Sequence, residues 1–443
     1  MRGAGSHRTG GLNDLVLLNP NTNAHASTPP SDMPFDHLLD HVQRATIAYF
    51  WEGAHPVSGL AYDRRLTSGH VRNDLVSIGG SGFSFLAIVV AVNRGWIGRR
   101  PAIERFLRMV AFLGTVPRFH GAFPHFINGA TGHAVPFSRH DDGGDLVETA
   151  LLLKGLICAR QYFDRDDFDE RLLRTRAQEL INEVEWDWYT QGPSEALQWH
   201  WSPKHNWKMG LPITGWSEGL IAYVLAAGAA RHPISASVFH EGWARNGALR
   251  NGNCYYDHVL PVGPPFGGPL FLAHFSFCGL DPRRMQDRYC DYWVQNVAHA
   301  SIHLAHAVLN PNGHSGYGAA CWGLSSSHGP KSYLASAPDN DLGIIAPTAA
   351  LSSFPYLPAA AEAALRHYLT VAGGRLWGRF GFVDAFSADE RWISKTHLAI
   401  NQGPIVAMIE NYRSGLLWKL FMEAPIVKLG LEKLEIGHRA AFT

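Results

Sequence analysis

The chain has no surplus of charge of either sign: its 443 residues hold 38 Lys and Arg against 38 Asp and Glu, and only 17% are charged. No run of Lys and Arg could neutralise phosphates or settle on an anionic bilayer, so neither a nucleic acid nor a membrane is expected as a partner. Long hydrophobic runs are missing too; Phe83 to Val92 is too short to span a bilayer. The five cysteines are odd in number and lack CxxC spacing, which excludes a complete disulfide framework or a zinc knot and leaves buried free thiols as the expectation. Met1 to Asp32 has no basic start, long apolar run or small-residue cleavage site, only the Leu15 to Leu18 patch. As written the chain is expected in the cytoplasm, as a monomer; a start further upstream would admit the periplasm.

What is abundant is glycine, with 45 residues, and aromatics, with 14 Trp. Residues 1–34, polar and Pro-rich, read as a disordered tail, followed by one domain over 35–435 and a short tail over 436–443. Apolar residues recur at helical spacing in ten segments: Leu38 to Trp51, Ser77 to Arg94, Ala102 to Leu113, Leu146 to Tyr162, Leu172 to Val184, Glu218 to Ala229, Arg284 to Val308, Ile344 to Ser353, Ala359 to Ala372 and Gln402 to Met422. Long loops separate them, at Arg118 to Gly144, Thr190 to Thr214, His258 to Pro269 and Asn310 to Asn340, and loops of such length in a compact domain usually carry function. The pattern predicts an all-α fold, a toroid of helical hairpins with loops gathered as a cleft at one end, with a helical solenoid as its competitor. Strands are expected to be few and short, for instance near Gly381 to Asp384.

The densest chemistry lies in Arg139-His-Asp-Asp-Gly-Gly-Asp-Leu-Val-Glu148, where Asp141, Asp142, Asp145 and Glu148 crowd the approach to an apolar helix. Asp145 with Glu148 also makes an ordinary capping box, favoured by the helix dipole without catalysis. A cap uses two acids; four, behind two glycines, leave a surplus. Crowded carboxylates raise one another's proton affinity, and glycoside hydrolysis needs one protonated acid opposite one ionised carboxylate. A second acidic centre, Glu218, stands at the mouth of another apolar helix between Trp207, Trp216 and the run Leu220 to Leu225. Desolvation there would raise its pKa and suit it as proton donor, the alternative being a plain first-turn acid.

Other chemistries find less support. His299, His303 and His306 share a helix face, but no HExxH or suitable acid accompanies them, so no metal is expected. Neither Gly80-Ser-Gly82 nor Gly215-Trp-Ser-Glu-Gly219 has the strand-elbow-helix setting of a serine nucleophile, and Ile78-Gly-Gly-Ser-Gly82 follows no strand that would make it a dinucleotide site. Late Gly-aromatic motifs, Gly316-Tyr-Gly318, Cys321-Trp-Gly323, Asp341 to Thr348 and Gly381 to Phe386, each read singly as a turn beside a core ring. Their joint placement in long loops matches the flat rings and polar groups of a sugar site.

Taken together the motifs resemble the bacterial glucoamylase-like family, glycoside hydrolase family 144, over most of the chain from about Ala45. The resemblance rests on Ala48-Tyr-Phe-Trp-Glu52, Tyr62-Asp-Arg64, Ser77 to Phe83, Gly144 to Thr149, Gly215-Trp-Ser-Glu218, Gly316-Tyr-Gly318 with Cys321-Trp-Gly323, Ile345 to Ala350, Asp384-Ala-Phe386, and Gln402 to Ile405 with Ile409 to Arg413. It implies an (α/α)6 toroid and inverting hydrolysis of β-1,2-glucan or sophoro-oligosaccharides without metal or organic cofactor. Glu218 would be the general acid, and Asp141, Asp145 and Glu148 would assist water activation, Asp145 foremost. Arg64, Tyr317, Trp322, Asp384, Glu410 and Arg413 would orient glucose rings, with Trp207, Trp216 and Asn401 on the same surface. The chain departs from the pattern in two places: Asn401 stands where sequences of this type usually carry Asp, and Asn296 to Val308 is His-rich. Competing readings are a glycan phosphorylase, which needs a phosphate pocket of Arg, Lys, His and Gly beside the cleft, and a non-catalytic glycan-binding protein.

Overall fold

In the computed structural model the described residues are 28–192 and 195–437. They form twelve α-helices: α1 (Phe35–Trp51), α2 (Ile78–Asn93), α3 (Arg99–Leu113), α4 (Leu146–Tyr162), α5 (Phe168–Asn182), α6 (Leu220–Gly228), α7 (Tyr292–Leu309), α8 (Pro347–Leu351), α9 (Pro358–Thr370), α10 (Ala399–Arg413), α11 (Leu416–Met422) and α12 (Pro425–Lys433). The strands are two or three residues long and pair into small antiparallel ladders, one of them using Gly381–Phe382. No helix among the described residues is long and apolar enough to cross a membrane.

Two kinds of helix are present. α2, α4, α6, α8 and α10 are apolar on nearly every face and buried along almost their whole length, as helices enclosed on all sides must be. α1, α3, α5 and α9 bury one stripe and leave the other face to solvent. α2 packs on α4 and α10, α4 on α6, and α6 on α12, while α1 covers α10 and α3 covers α5.

Glycine sets the closest of these contacts. A Cβ on Gly155 of α4 would lie 2.1 Å from the carbonyl oxygen of Gly82 in α2, and one on Gly82 would lie 2.2 Å from that of Leu151. Backbone cannot yield as a flexible side chain does. Gly155→Ala is therefore expected to destabilise the protein by about 2 kcal/mol or more, although Ala would gain about 1 kcal/mol in helix propensity. Urea unfolding measures this; an unchanged or raised midpoint would contradict the packing.

Several boundaries differ from the periodicity. α7 begins at Tyr292 rather than near Arg284, because the Asp291 side chain accepts from the Trp293 and Val294 amides and fixes the cap there. The segment Gln402 to Met422 is two helices, broken where Gly415 takes φ 69°. α12 and the short π-helical turn Val238–Trp243 carried too little periodic signal to be predicted.

Residues 1–27 and 438–443 of the expected tails lie outside the described residues. Of the rest, the Ser31 and Met33 carbonyls accept from Arg366, and Gly437 pairs its backbone with Gln286. Four cysteines are buried free thiols as expected, but Cys254 is exposed.

Candidate active site

The first turns of the enclosed helices gather the acids. Gly144–Asp145 forms a two-residue strand against His200–Trp201, with Asp145 opposite His200 in register, and α4 starts immediately after it. Asp145 Oδ1 accepts from the Val147 and Glu148 amides at 3.0 and 2.9 Å, so Asp145 is the expected N-cap, but the reciprocal bond of a capping box is not made, because the Asp145 amide donates to the Phe123 carbonyl. Asp145 Oδ2 meets His125 Nδ1 at 2.8 Å and His200 Nε2 at 3.3 Å, and His200 Nε2 also lies 3.0 Å from Asp141 Oδ2.

This is a buried network of two imidazoles and two carboxylates. Burial alone would push the Asp145 carboxyl up, but His200 and His125 outweigh it and hold the group well below the carboxylate range. Burial likewise opposes charge on the imidazoles. At His125 the charges of Glu148, Asp145 and Asp141 overcome it and lift the pKa to about 9; at His200 Asp145 and Asp141 lift it to about 10. Both rings are thus imidazolium at neutral pH.

Asp145, fully buried, has both oxygens committed, one to the helix cap and one to the histidines. Neither oxygen is left without a partner in this arrangement. Asp142, also part of the surplus, is bound by Ser202 and Lys204 at the edge of the network.

Glu148, one helical turn into α4, is differently placed. Its Oε2 accepts from the Gly79 amide of α2 at 2.6 Å, and a Cβ on Gly79 would come within 2.8 Å of that oxygen, so only glycine lets the carboxylate sit there. Burial raises its pKa to about 7, with the Asp145 charge adding to that and the His125 charge opposing it. Glu218 is half-buried in the turn before α6, whose backbone is tied by Ser276 Oγ donating to the Glu218 carbonyl. Burial also raises Glu218 to about 7, and the charges of Asp145 and Glu148 add to it. Glu218 stands just before α6 and Glu148 in the first turn of α4, two helices that pack on each other, which brings the acids close enough for the charges of Asp145 and Glu148 to reach Glu218. Positive helix ends offset part of the cost of massed carboxylates.

A second buried set centres on Asp384 and Asn401. Asp384 Oδ2 accepts from the His328 backbone N–H at 2.7 Å and meets its Nδ1 at 3.0 Å. Asp384 Oδ1 accepts from Asn401 Nδ2 at 2.7 Å, and the same amide also donates to the Ser326 carbonyl. The departure at Asn401 thus has a local reason: an amide supplies donors where a carboxylate would face another carboxylate and a carbonyl. Asn401→Asp is expected to cost about 1–3 kcal/mol at pH 7.5. The loss should shrink at pH 5, where one carboxyl of the pair takes a proton. Thermal melts at the two pH values test this, and equal losses would contradict it.

Arg64 pairs with Asp63 and reaches His328 Nε2, so it belongs to the rim, and Tyr317 donates to Asp341 in a loop network with His306 and His314. Trp207 is half-buried beside Trp188 and Tyr189, next to the strand that carries His200. Four expected substrate-binding residues are placed elsewhere. Trp216 is packed among Phe277, Trp243 and Tyr292, and Trp322 is fully buried with its indole N–H on the Ala360 carbonyl. Glu410 pairs with Arg94, and Arg413 with Asp40, at the far end of α10 from Asn401, about 14–18 Å away along the axis.

His125 and His200 escaped the sequence reading. The signal was present in Trp199-His-Trp201, a histidine between rings in a strand-like alternation, but only the pairing with Asp145 gives it meaning. Asp63 and Tyr333 were also missed: Asp63 acts on Glu148, and Tyr333 feels both Asp384 and Glu218.

His125, Asp141 and Asp145 offer donor atoms within 4.8 Å of one another, as a metal site would require. A cation there would have to displace the proton that the His125 imidazolium shares with Asp145, so this donor set fits a proton-bridged pair better.

A family model described as "Putative glucoamylase" matches residues 210–425. An endo-β-1,2-glucanase from Chitinophaga pinensis, solved with sophorotriose and glucose, is 45% identical with a TM-score of 0.88, over 92% of this chain and 99% of that one. An exo-β-1,2-glucooligosaccharide sophorohydrolase acting at the non-reducing end, from Parabacteroides distasonis, is 42% identical over 95% of this chain, which spans 61% of that relative's length. An endo-β-1,2-glucanase from Talaromyces funiculosus, 13% identical with a TM-score of 0.67 over 91% of this chain and 90% of that one, shares the fold.

Proposed function

The chain belongs to the glucoamylase-like family, and from that premise we propose that it is an inverting glycoside hydrolase, of family 144, cleaving β-1,2-linked glucan or sophoro-oligosaccharides. The observation that carries this reading is the placement of Glu148 and Glu218 at the starts of the packed helices α4 and α6, one held by the Gly79 amide and the other in a turn tied by Ser276, with burial raising both carboxyls to about 7. The two sets of helices, enclosed and one-sided, support an (α/α)6 toroid as the frame, acting as a monomer on a neutral polysaccharide with no metal or organic cofactor.

The chemistry follows from where each proton is held. Glu218, protonated up to about neutral pH and half-buried, gives its proton to the departing glycosidic oxygen. Water attacks the anomeric carbon from the opposite face, its proton passing to a carboxylate of the Asp141 to Glu148 group, directly or through a sugar hydroxyl. Within that group Glu148 is the acceptor nearest the reaction, held by Gly79 and stabilised in its charged form by the His125 imidazolium. Asp145 and Asp141 act one step back, by keeping His125 and His200 charged and fixed. Trp207 and Arg64 orient sugar rings at the rim, and the buried Asp384, braced by Asn401, fixes His328 beside Arg64.

Incubation with a panel of linear β-glucans, followed by anomer-resolved NMR of the products, tests the reading. Reducing ends released from β-1,2-glucan alone, with α-configured initial products, are expected. No release from β-1,2-linked chains, or β-configured products, would overturn it.

A further inference from the structure

A groove of about 520 Å3 carries Arg64, His70, Arg72, His328 and Lys331 in its lining but no carboxylate; of its neutral polar groups, the Asn73 side-chain oxygen already accepts from the Leu75 amide and the Thr396 hydroxyl is bonded to Ser394. In a chain with equal numbers of acidic and basic residues this is a local departure. Arg72 and Lys331 are exposed, and among the described residues neither has an ion-pair or hydrogen-bond partner. The other cations differ: Arg64 is tied to Asp63 at 2.9 Å and His328 to Asp384. Those same residues join the groove to the Asp384 set, since Arg64 meets His328 and His328 meets Asp384. On the hydrolase reading, a saccharide held there meets the groove at His328 and Tyr333.

Sugar hydroxyls both donate and accept, and sites for neutral sugars present carboxylates and amide oxygens alongside donors. Arg and Lys only donate. Two uncommitted cations without a facing carboxylate match a ligand that only accepts, an oxyanion. We infer that this groove is a subsite for an anionic substituent, a carboxylate or a phosphodiester, carried on a β-1,2-glucan chain. The inference rests on the hydrolase reading and adds to it a preference for charge-decorated substrate.

The test compares β-1,2-glucooligosaccharides of one length bearing succinyl, glycerophosphoryl or, as the neutral control, acetyl groups. In low salt, kcat/KM is expected to be about three- to tenfold higher for the anionic chains than for the acetylated one. The ratio should fall towards one in the Arg72→Ala/Lys331→Ala double variant and in 0.5 M NaCl, where screening shortens the reach of surface charge. The succinyl and glycerophosphoryl arms separate carboxylate from phosphodiester. Equal rates on all three chains, or a preference that survives the double substitution, would overturn the inference while the acetylated chain still reports hydrolysis. If no chain is cleaved, the hydrolase reading fails, and the affinities of the same three chains for the protein decide the subsite. Formation of a sugar phosphate in inorganic phosphate would instead assign the cations to an attacking phosphate and overturn the proposal.

Discussion

Replacing Glu218 by Gln is expected to lower kcat on β-1,2-glucooligosaccharides by about 100- to 10,000-fold while moving KM little, because the amide keeps the shape and hydrogen bonding of the acid but has no proton to give. The pH dependence carries the specific signature. Glu218 must be protonated to act, and burial with the nearby Asp145 and Glu148 charges puts its pKa at about 7. Wild-type kcat/KM should thus fall as pH rises through about 7, and the variant's residual rate should lose that alkaline limb. Stability moves in the same direction: a carboxyl raised from 4.5 to about 7 binds more protons folded than unfolded between those values, so its unfavourable contribution is absent below pH 4.5 and complete above 7. A variant with wild-type turnover, or an unchanged alkaline limb, would remove Glu218 from the chemistry.

Asp145→Asn should do most damage to the molecule as a whole. The amide oxygen can still cap α4, but an N–H then faces the two imidazoles that donate to Asp145 Oδ2. Breaking one partner out of a buried charged network typically costs about 3–5 kcal/mol, and activity should fall by at least about 100-fold because Glu148 loses its charged neighbour. The pH window is defined on both sides. The depressed Asp145 pKa contributes stability above its ordinary 3.8 that is lost as pH falls through the folded value. The raised histidines contribute stability that is fully present below 6.5 and lost as pH rises through about 9 for His125 and about 10 for His200. The gap in unfolding free energy between wild type and variant should be widest from about pH 4 to 6.5, shrink steadily as pH rises towards 9 to 10, and narrow also below about pH 4. A pH-independent gap would show that the network is not held by charge.

Local patterns were legible in the sequence where one segment carried the whole signal. α4 begins where the acids of Asp141 to Glu148 meet the apolar run, since capping and helical periodicity coincide there. The enclosed helices could be read from runs such as Ile78 to Val92, apolar on every face. Pairings made across the fold left no such mark. Asp145 looks like a cap in sequence and is one, yet its second oxygen serves His125 and His200, which lie 20 and 55 residues away in a chain where 24 histidines dilute each one's meaning. Of the rings beside acids in Gly-rich loops, expected to face a sugar, Trp207 is half-buried, whereas Trp216 and Trp322 are packed into the core. In a core this rich in aromatics the same Gly-ring sequences also build packing layers. Glu410 and Arg413 share a motif with Asn401 but lie three turns along α10, where they tie α1 and α2 to the frame.

The claim on which the rest depends is spatial: Glu218 and the Asp141 to Glu148 group grip one glycosidic bond from opposite sides. A crystal structure of the Glu218→Gln protein with a bound β-1,2-glucooligosaccharide measures this most directly. The side chain at position 218 is predicted within hydrogen-bond reach of the scissile oxygen, with an ordered water or sugar hydroxyl leading from the other face of the ring to Glu148. A saccharide bound away from residue 218, or a ring whose opposite face meets no member of the acid group, would contradict it.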